Sequence, residues 1–425
     1  MEEATHELDK KIFHLKTLND VSQEIVFLKD PQDIIPHLLL MVMGTYGSMQ
    51  GMAFLLDDSG NAIEVFSGRG VDDSVEEGLL QFIKSKGDTP IIDIDHGMIL
   101  GEDGGKESGN DLLTLLASQE FSVFMPIILK KEFIGALALG EKLLGDPYSS
   151  DDMELLDTLV SQGAVSVENA RLHHKQLAQE RVRRELEIAN DIQLSFLPSQ
   201  VATVQGLDLA AFFLPAKEVG GDFYDFIELP DDKLGIVIAD VAGKGIPAAL
   251  YMALSRALIR ACSAHEPTDI TKAVLQTNML IQECSAADIF VTLFYAIYDP
   301  ASSRLRYVRA GHNFPILYKQ SAGQCLNLEG KGVALGMFAD IPLEEKEILL
   351  EEGDIVVFYT DGVTEAINSK KEEFGTERLT QLLAASKDKT AAEVVDRIQR
   401  GVVEFAGDEQ QFDDVTLVVL KKTVG

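Results

Sequence analysis

The chain has 425 residues, 46% hydrophobic and 25% charged, with 37 basic against 69 acidic residues and a formal net charge of −32. That mix belongs to a soluble globular protein of about two to three domains and excludes collagen-like, disulfide-framework and disordered chains. The deficit is −19 over residues 1–172, zero over 173–198 and −13 over 199–425, so no large segment offers the cationic footprint that nucleic acid or an anionic membrane surface requires.

In chain order, Leu8, Ile12, Leu15, Leu18, Val21 and Ile25 recur at steps of three and four, which predicts an amphipathic helix over 7–28. Asp30-Pro31 breaks it and opens a second helix through Tyr46. Strands follow at Met52–Leu56 and Ile63–Phe66, joined by the turn signal Asp57-Asp58-Ser59-Gly60, then a short helix near Val75–Lys84 and a polar, Gly-rich loop over Gly101–Asn110. Val123–Leu129 and Phe133–Leu139 read as a hairpin across Lys130-Lys131-Glu132. Ser149-Ser150-Asp151-Asp152 then offers N-caps to a long helix. The hairpin PIILKKEFIGALALG (Pro126–Gly140) followed by YSSDDMELLDTLVSQGAVSVENARL (Tyr148–Leu172) is similar to a GAF domain, a sensor and dimerisation module. The resemblance covers about 20–172 and implies an antiparallel sheet with flanking helices that receives an unknown small-molecule or protein signal. No cysteine precedes Cys262, so thioether attachment of a chromophore has no candidate, and His37 and His96 read as ordinary histidines rather than haem ligands.

From Asp151 to Leu197 only Gly163 weakens a helix, and Pro198 ends it. About 47 residues would span roughly 70 Å at ~1.5 Å each. An apolar stripe through Val160, Gly163, Val167, Ala170, His174 and Leu177 resumes one residue out of register at Val182, Leu186, Ala189, Gln193 and Phe196, across the basic cluster Arg181–Arg184. Such a shift suits a coiled-coil-like linker over 173–198 that joins two chains as a parallel homodimer.

Residues 199–425 alternate differently. Strands are expected at Leu207–Leu214, Phe223–Leu229, Leu234–Ala239, Val291–Tyr298, Leu305–Val308, Ile316–Tyr318, Ile355–Tyr359 and Thr416–Leu420. Helices are expected at Ile246–Ala264, with Leu250, Leu254, Leu258 and Ala261 on one face, at Asp269–Cys284, and twice between Thr376 and Phe405. Many short strands with helices in pairs predict a β-sandwich flanked by helices. The fold class is thus α+β: a sensor domain over 1–172, a helical linker over 173–198 and a sandwich over 199–425.

Four aspartates in this last region share a local grammar. Asp222 sits in Gly220-Gly221-Asp222-Phe223; Asp240 ends an apolar run and precedes Val241-Ala242-Gly243-Lys244-Gly245; Asp361 ends Ile355–Thr360 and precedes Gly362; Asp413-Asp414 leads into Val415–Val419. Each is a hard oxygen donor at a strand end, beside glycines that permit tight turns or close approach in three of the four cases. Carboxylates converging on one point repel unless cations neutralise them, and oxygen-only ligation selects magnesium or manganese. Cys262, Cys284 and Cys325 form neither a CxxC pair nor a Cys-x5-Arg phosphatase signature.

The stretches ANDIQLSFLP (Ala189–Pro198), EVGGDFYDF (Glu218–Phe226), IADVAGKGIPAAL (Ile238–Leu250), FVTLFYAIYD (Phe290–Asp299), RAGHNFPIL (Arg309–Leu317), GVALGM (Gly332–Met337), FYTDGVTEA (Phe358–Ala366) and FDDVTLVVL (Phe412–Leu420) occur in the order of the PPM-type serine/threonine phosphatases, in their SpoIIE/RsbU-like bacterial branch. This resemblance covers about 189–420. It implies two Mn or Mg ions, bridged by Asp240, with the Val241 backbone carbonyl as a further ligand, Asp222 near the first ion and Asp361 and Asp413 on the second. Asp288 stands roughly where some relatives ligate a third, labile ion. Eukaryotic members anchor phosphate with an arginine ahead of the first acidic motif; here the cations on hand are Lys217 and Lys244. The resemblance further implies a phosphorylated STAS-domain anti-sigma-factor antagonist as partner and substrate, cleaved by metal-activated water under control of the N-terminal domain. The alternative is an inactive PPM-fold scaffold that acts by binding partners, against which the intact aspartate set argues. MEEATHELDKK is unlike a signal peptide and no aliphatic run approaches the ~18 residues of a membrane span, so a cytoplasmic protein is expected.

Overall fold

The computed structural model describes residues 12, 16, 19, 23–25, 27–86, 96–100, 111–198, 200, 202–284 and 289–424. Most of the helix expected over 7–28, the Gly-rich loop at 101–110 and Asp288 lie outside the described residues. The chain divides into two compact units, Met1–Arg181 and Val182–Gly425.

In the first unit, helix α1 (Pro31–Tyr46) is capped by Asp30, whose carboxylate accepts from the Gln32 N–H at 2.9 Å. Strands β1 (Gly51–Leu56) and β2 (Ile63–Arg69), helix α2 (Ser74–Lys86), β3 (Met98–Ile99), helix α3 (Asp111–Ser118), β4 (Val123–Leu129) and β5 (Glu132–Leu139) follow, and the strands form one antiparallel sheet of order β2-β1-β5-β4-β3. The β4–β5 turn runs through Lys130 and Lys131 at φ 50° and 74°, the left-handed pair that a two-residue hairpin turn demands. Side chains alternate across the sheet. Ala53, Leu55, Met125, Ile127 and Leu137 pack beneath α1, and Met52, Phe54, Phe124, Ala136 and Ala138 beneath α2 and α3.

Helix α4 runs unbroken from Ser150 to Phe196. Gly163 does not interrupt it; a Cβ there would lie 2.5 Å from Leu38 Cδ2, so the glycine lets α4 close on α1. Val160, Val167 and Ala170 belong to the same core. The N-terminal part of the stripe read as an inter-chain seam is therefore spent on the unit's own packing, while Leu177 and Val182 are exposed.

The second unit holds two five-stranded antiparallel sheets. One has the order β13-β10-β9-β8-β7, with β7 Phe223–Glu228, β8 Leu234–Val241, β9 Val291–Asp299, β10 Arg304–Ala310 and β13 Lys346–Leu349. The other has the order β12-β11-β14-β15-β6, with β6 Leu207–Leu214, β11 Ile316–Lys319, β12 Gln324–Asn327, β14 Ile355–Tyr359 and β15 Val415–Lys422. Period-2 alternation divides the second sheet: Val356, Phe358, Val418 and Leu420 enter the sandwich core, and Ile355, Val357, Leu417 and Val419 face helices α8 (Gly375–Ala384) and α9 (Ala391–Ala406). Phe294 bridges the sheets, stacked on Tyr307 at 5.2 Å and edge-on to Phe358 at 5.7 Å between ring centroids.

Helices α5 (Ile246–His265) and α6 (Ile270–Cys284) accompany the first sheet. The expected α5 face is wrong. Ala248, Met252, Ser255, Ile259 and Cys262 are buried, whereas Leu250 is 67% exposed. The face turned to the sheet mixes small side chains with Met252 and Ile259 and lies beside the leucine stripe. Asp225 of β7, without solvent exposure, receives Arg260 Nη1 at 2.7 and 2.8 Å and Arg256 Nη2 at 3.1 Å from α5. Asp225→Ala should lower the unfolding free energy by about 2–3 kcal/mol in a urea titration, below the usual cost of breaking a buried pair because half-exposed Arg260 regains water.

Candidate active site

Four segments distant in sequence bring their aspartates to one end of the sandwich. Asp222 directly precedes β7 and is buried; the hydroxyls of Thr360 and Thr416 both donate to its Oδ2 at 2.6 Å. Asp240 lies in β8 opposite Thr292 of β9. Asp361 opens the single-turn helix α7 (Asp361–Thr364) after β14. Asp413 lies just before β15, its Oδ2 2.8 Å from Lys244 Nζ.

Asp240 links the others electrostatically, to Asp222 on one side and to Asp361 and Asp413 on the other. Burial, then the charges of Asp240 and Asp414, hold the Asp222 carboxyl well above the usual range, against the two threonine hydrogen bonds. Burial, then the charges of Asp361 and Asp413, push Asp240 up to about 7, partly offset by a hydrogen bond with Asp222. Asp361 is raised by burial and then by Asp413. Glu365, in the turn after Asp361, is raised by burial first and then by Asp361, Glu373 and Asp413. As the side chains stand, no group of three or more His, Cys, Asp or Glu among the described residues is drawn tightly enough to hold a metal ion. The structure gathers the carboxylates into one field without closing a cage.

Asp414 has a different task from Asp413. It accepts backbone N–H bonds from Ala216 at 2.8 Å, Gly221 at 2.6 Å and Asp222 at 3.3 Å, and so fixes the turn that delivers Asp222. A Cβ at Gly220 would lie 2.4 Å from Asp414 Oδ2, and one at Gly221 would lie 2.9 Å from the Val241 carbonyl oxygen. Both glycines are needed for close approach rather than for flexibility. Lys244 touches Asp413, donates to the Phe412 carbonyl at 2.7 Å and lies over the Phe412 ring at 3.7 Å from its centroid; Lys217 is exposed.

Sequence reasoning passed over Thr360, Thr416 and His312. His312 is buried and pushed down to about 3 by desolvation, so its ring is neutral. The Thr292 hydroxyl is 2.9 Å from Nδ1 and the Tyr359 carbonyl 3.2 Å from Nε2. Nε2–H therefore donates to Tyr359 and Nδ1 accepts from Thr292. The ring ties β9, beside Asp240, to β14, which leads into Asp361. The signal available was a histidine with a threonine on the neighbouring strand, and it needed the pairing to be known.

Two antiparallel sheets face to face, a helix pair on each and acids at one end define a PP2C-type fold. The SiaA PP2C domain of Pseudomonas aeruginosa superposes with a TM-score of 0.53 over 58% of this chain and 99% of that one, at 24% identity. The family model for stage II sporulation protein E (SpoIIE) matches residues 230–423. Phosphoserine phosphatase RsbU of Bacillus subtilis is 32% identical over 283 residues, 66% of this chain and 81% of RsbU. Protein IcfG of Synechocystis is 33% identical over 264 residues, 56% of this chain but 41% of IcfG, and phosphoserine phosphatase RsbP of Bacillus subtilis is 30% identical over 184 residues, 43% of this chain and 45% of RsbP. The chain thus spans less than half the length of two of these relatives and most of the third. It belongs to the SpoIIE/RsbU family of PP2C-type phosphatases. No helix among the described residues is long and apolar enough to cross a membrane.

Proposed function

We propose that the chain is a sensor-regulated, divalent-cation-dependent phosphoprotein phosphatase acting on phosphoserine or phosphothreonine of a STAS-domain anti-sigma-factor antagonist. The observation that carries this reading is the gathering of Asp222, Asp240, Asp361 and Asp413, the first three raised by burial and by neighbouring acids, in a chain of this family. Their need for positive charge and their all-oxygen chemistry fit magnesium or manganese. Asp240 would bridge two ions, with Asp222 and the Val241 carbonyl on the first and Asp361 and Asp413 on the second; Asp288, considered for a third, lies outside the described residues. Such a pair supplies Lewis acidity that lowers the pKa of water and offsets phosphoryl charge.

The chain's own groups do the positioning. Thr360 and Thr416 orient Asp222, Asp414 holds the turn before it, and neutral His312 braces Asp240's sheet against Asp361's. Lys244, at the margin of the cluster, and exposed Lys217 are the cations proposed to receive phosphate. The first unit's antiparallel sheet, with helices on both faces, supports a GAF-type sensor that acts through α4 in a homodimer, its ligand unidentified. The test is phosphate release from a phosphorylated STAS protein or p-nitrophenyl phosphate by the full chain. Turnover should require manganese or magnesium and stop with EDTA; turnover indifferent to EDTA, or none with either ion, would overturn the reading.

A further inference from the structure

The last turn of α4 exposes Asp191, Ile192, Leu194, Ser195 and Phe196 but buries Gln193, 4% exposed. Its side-chain amide pairs with one peptide group on both edges. Nε2 donates to the Gly220 carbonyl at 2.6 Å, and Oε1 accepts from the Gly220 N–H at 3.0 Å. A two-point pairing of this kind fixes orientation as well as distance. Gly220 is two residues before Asp222. The turn is held on another side by Asp414, through the N–H groups of Gly221 and Asp222. It is closed on a third by Val241, whose carbonyl oxygen leaves no room for a Cβ at Gly221. A turn wedged by an amide, a carboxylate and a carbonyl has no free direction in which to slide. A movement of the helix end is therefore transmitted to Asp222.

We propose that Gln193 is a positioning residue through which the end of α4 sets Asp222 against the Val241 carbonyl, so that divalent-cation affinity depends on this one amide. The inference rests on the metal-dependent reading above and adds to it the point at which the long helix grips the site.

The test uses the full chain with Gln193→Met, which keeps length and helix propensity but loses both hydrogen bonds, and Gln193→Glu, which keeps the acceptor and loses the donor. Leu383→Ala, at a buried position in α8 away from the helix end, is the control for general destabilisation. Manganese is titrated calorimetrically into metal-stripped protein, and the manganese requirement and kcat are measured separately. Gln193→Met should bind manganese about tenfold more weakly, the cost typical of losing a partner that orients a metal ligand. Its kcat at saturating manganese should stay near the parent value, Gln193→Glu should fall between, and Leu383→Ala should bind as the parent does. Affinity within twofold of the parent in Gln193→Met, or an equal loss in Leu383→Ala, overturns the proposal. If Gln193→Met does not fold, Gln193→Glu decides, and unchanged affinity there overturns it equally. A parent chain that binds no manganese at all would instead sink the phosphatase reading.

Discussion

Asp240→Asn should abolish cation-dependent turnover, with kcat down about a thousandfold or more, and should at the same time raise the melting temperature of the metal-stripped chain at about pH 8. The two effects share one cause. Asp240 is lifted to about 7 by burial and then by Asp361 and Asp413, so at alkaline pH the fold holds a carboxylate where its surroundings disfavour charge. Asparagine has the same shape, and its NH₂ can donate to the Asp222 carboxylate with which Asp240 already shares a hydrogen bond. Removing the charge relieves repulsion worth about 2–4 kcal/mol, the upper end being a shift from 3.8 to about 7 at ~1.36 kcal/mol per pKa unit. For a unit of this size that is roughly 5–10 °C. Scanning calorimetry in EDTA beside a phosphate-release assay reads both. Retained turnover would remove Asp240 from the chemistry; a lower melting temperature would show that the cluster stores no repulsion.

Strain of this kind is concentrated where the fold is best braced. Asp222 is the most deeply buried of the four acids; its two hydroxyl donors are Thr360, just after β14, and Thr416 of β15, and the Gly220-Gly221 turn before it is held by Gln193 of α4 and by Asp414, just before β15. A carboxylate disfavoured by burial persists because its neighbours over-determine its place. Asp414 shows the converse. It is also raised by burial, but the N–H groups of Ala216, Asp222 and Gly221 pull its pKa down. Adjacent and chemically identical, Asp413 and Asp414 thus divide into a carboxylate facing Lys244 and a carboxylate locked into the backbone.

That division marks the limit of what the sequence tells. The strands carrying the site were legible because they are continuous apolar runs ending in Asp or Asp-Gly, and β14 falls on Ile355–Tyr359 as expected. Strands β12 and β13 were not legible, because QCLN and KEIL are mostly exposed and carry no run to detect. Helix α3 and the two-residue β3 were passed over beside the Gly-rich loop. The face of α5 was not legible from leucine spacing, because the buried stripe is built from Ala248, Met252, Ser255, Ile259 and Cys262, only two of which are strongly hydrophobic. Periodicity places Gln193 in the resumed apolar seam of α4. Its partner is a peptide group 27 residues away, and no local pattern announces a side chain that pairs with backbone across a fold.

Linkage makes the last expectation the most general test of the cluster. Relative to Asp240→Asn, the metal-stripped chain should lose stability as pH rises from about 4 to about 8, and manganese should restore more of the parent's stability at the alkaline end. Asp222, Asp240 and Asp361 all have folded pKa values above those of unfolded carboxyls, Asp240 at about 7. Below about pH 4 both states hold the protons and the contribution is complete. Between there and about 7 the unfolded chain has released protons that the fold retains, so the contribution shrinks as pH rises, and past the folded values it is gone. Glu393, lowered to about 2 by its capping hydrogen bonds, works in the opposite sense only in acid. His312, pushed down to about 3, works in the opposite sense up to about pH 6.5, where the unfolded histidine has lost its proton; comparison with Asp240→Asn, which keeps His312, cancels that contribution. Manganese competes with those protons. At about pH 8 it meets bare carboxylates, and ion at a hundred times its dissociation constant adds about 2.7 kcal/mol; at about pH 5 it must first displace protons, and its gain should fall to less than half. Melting curves at the two pH values, with EDTA and with manganese, give four numbers. A stripped parent whose stability relative to Asp240→Asn is the same at both pH values, or an equal gain from manganese at both, would mean that these carboxylates do not share one buried field.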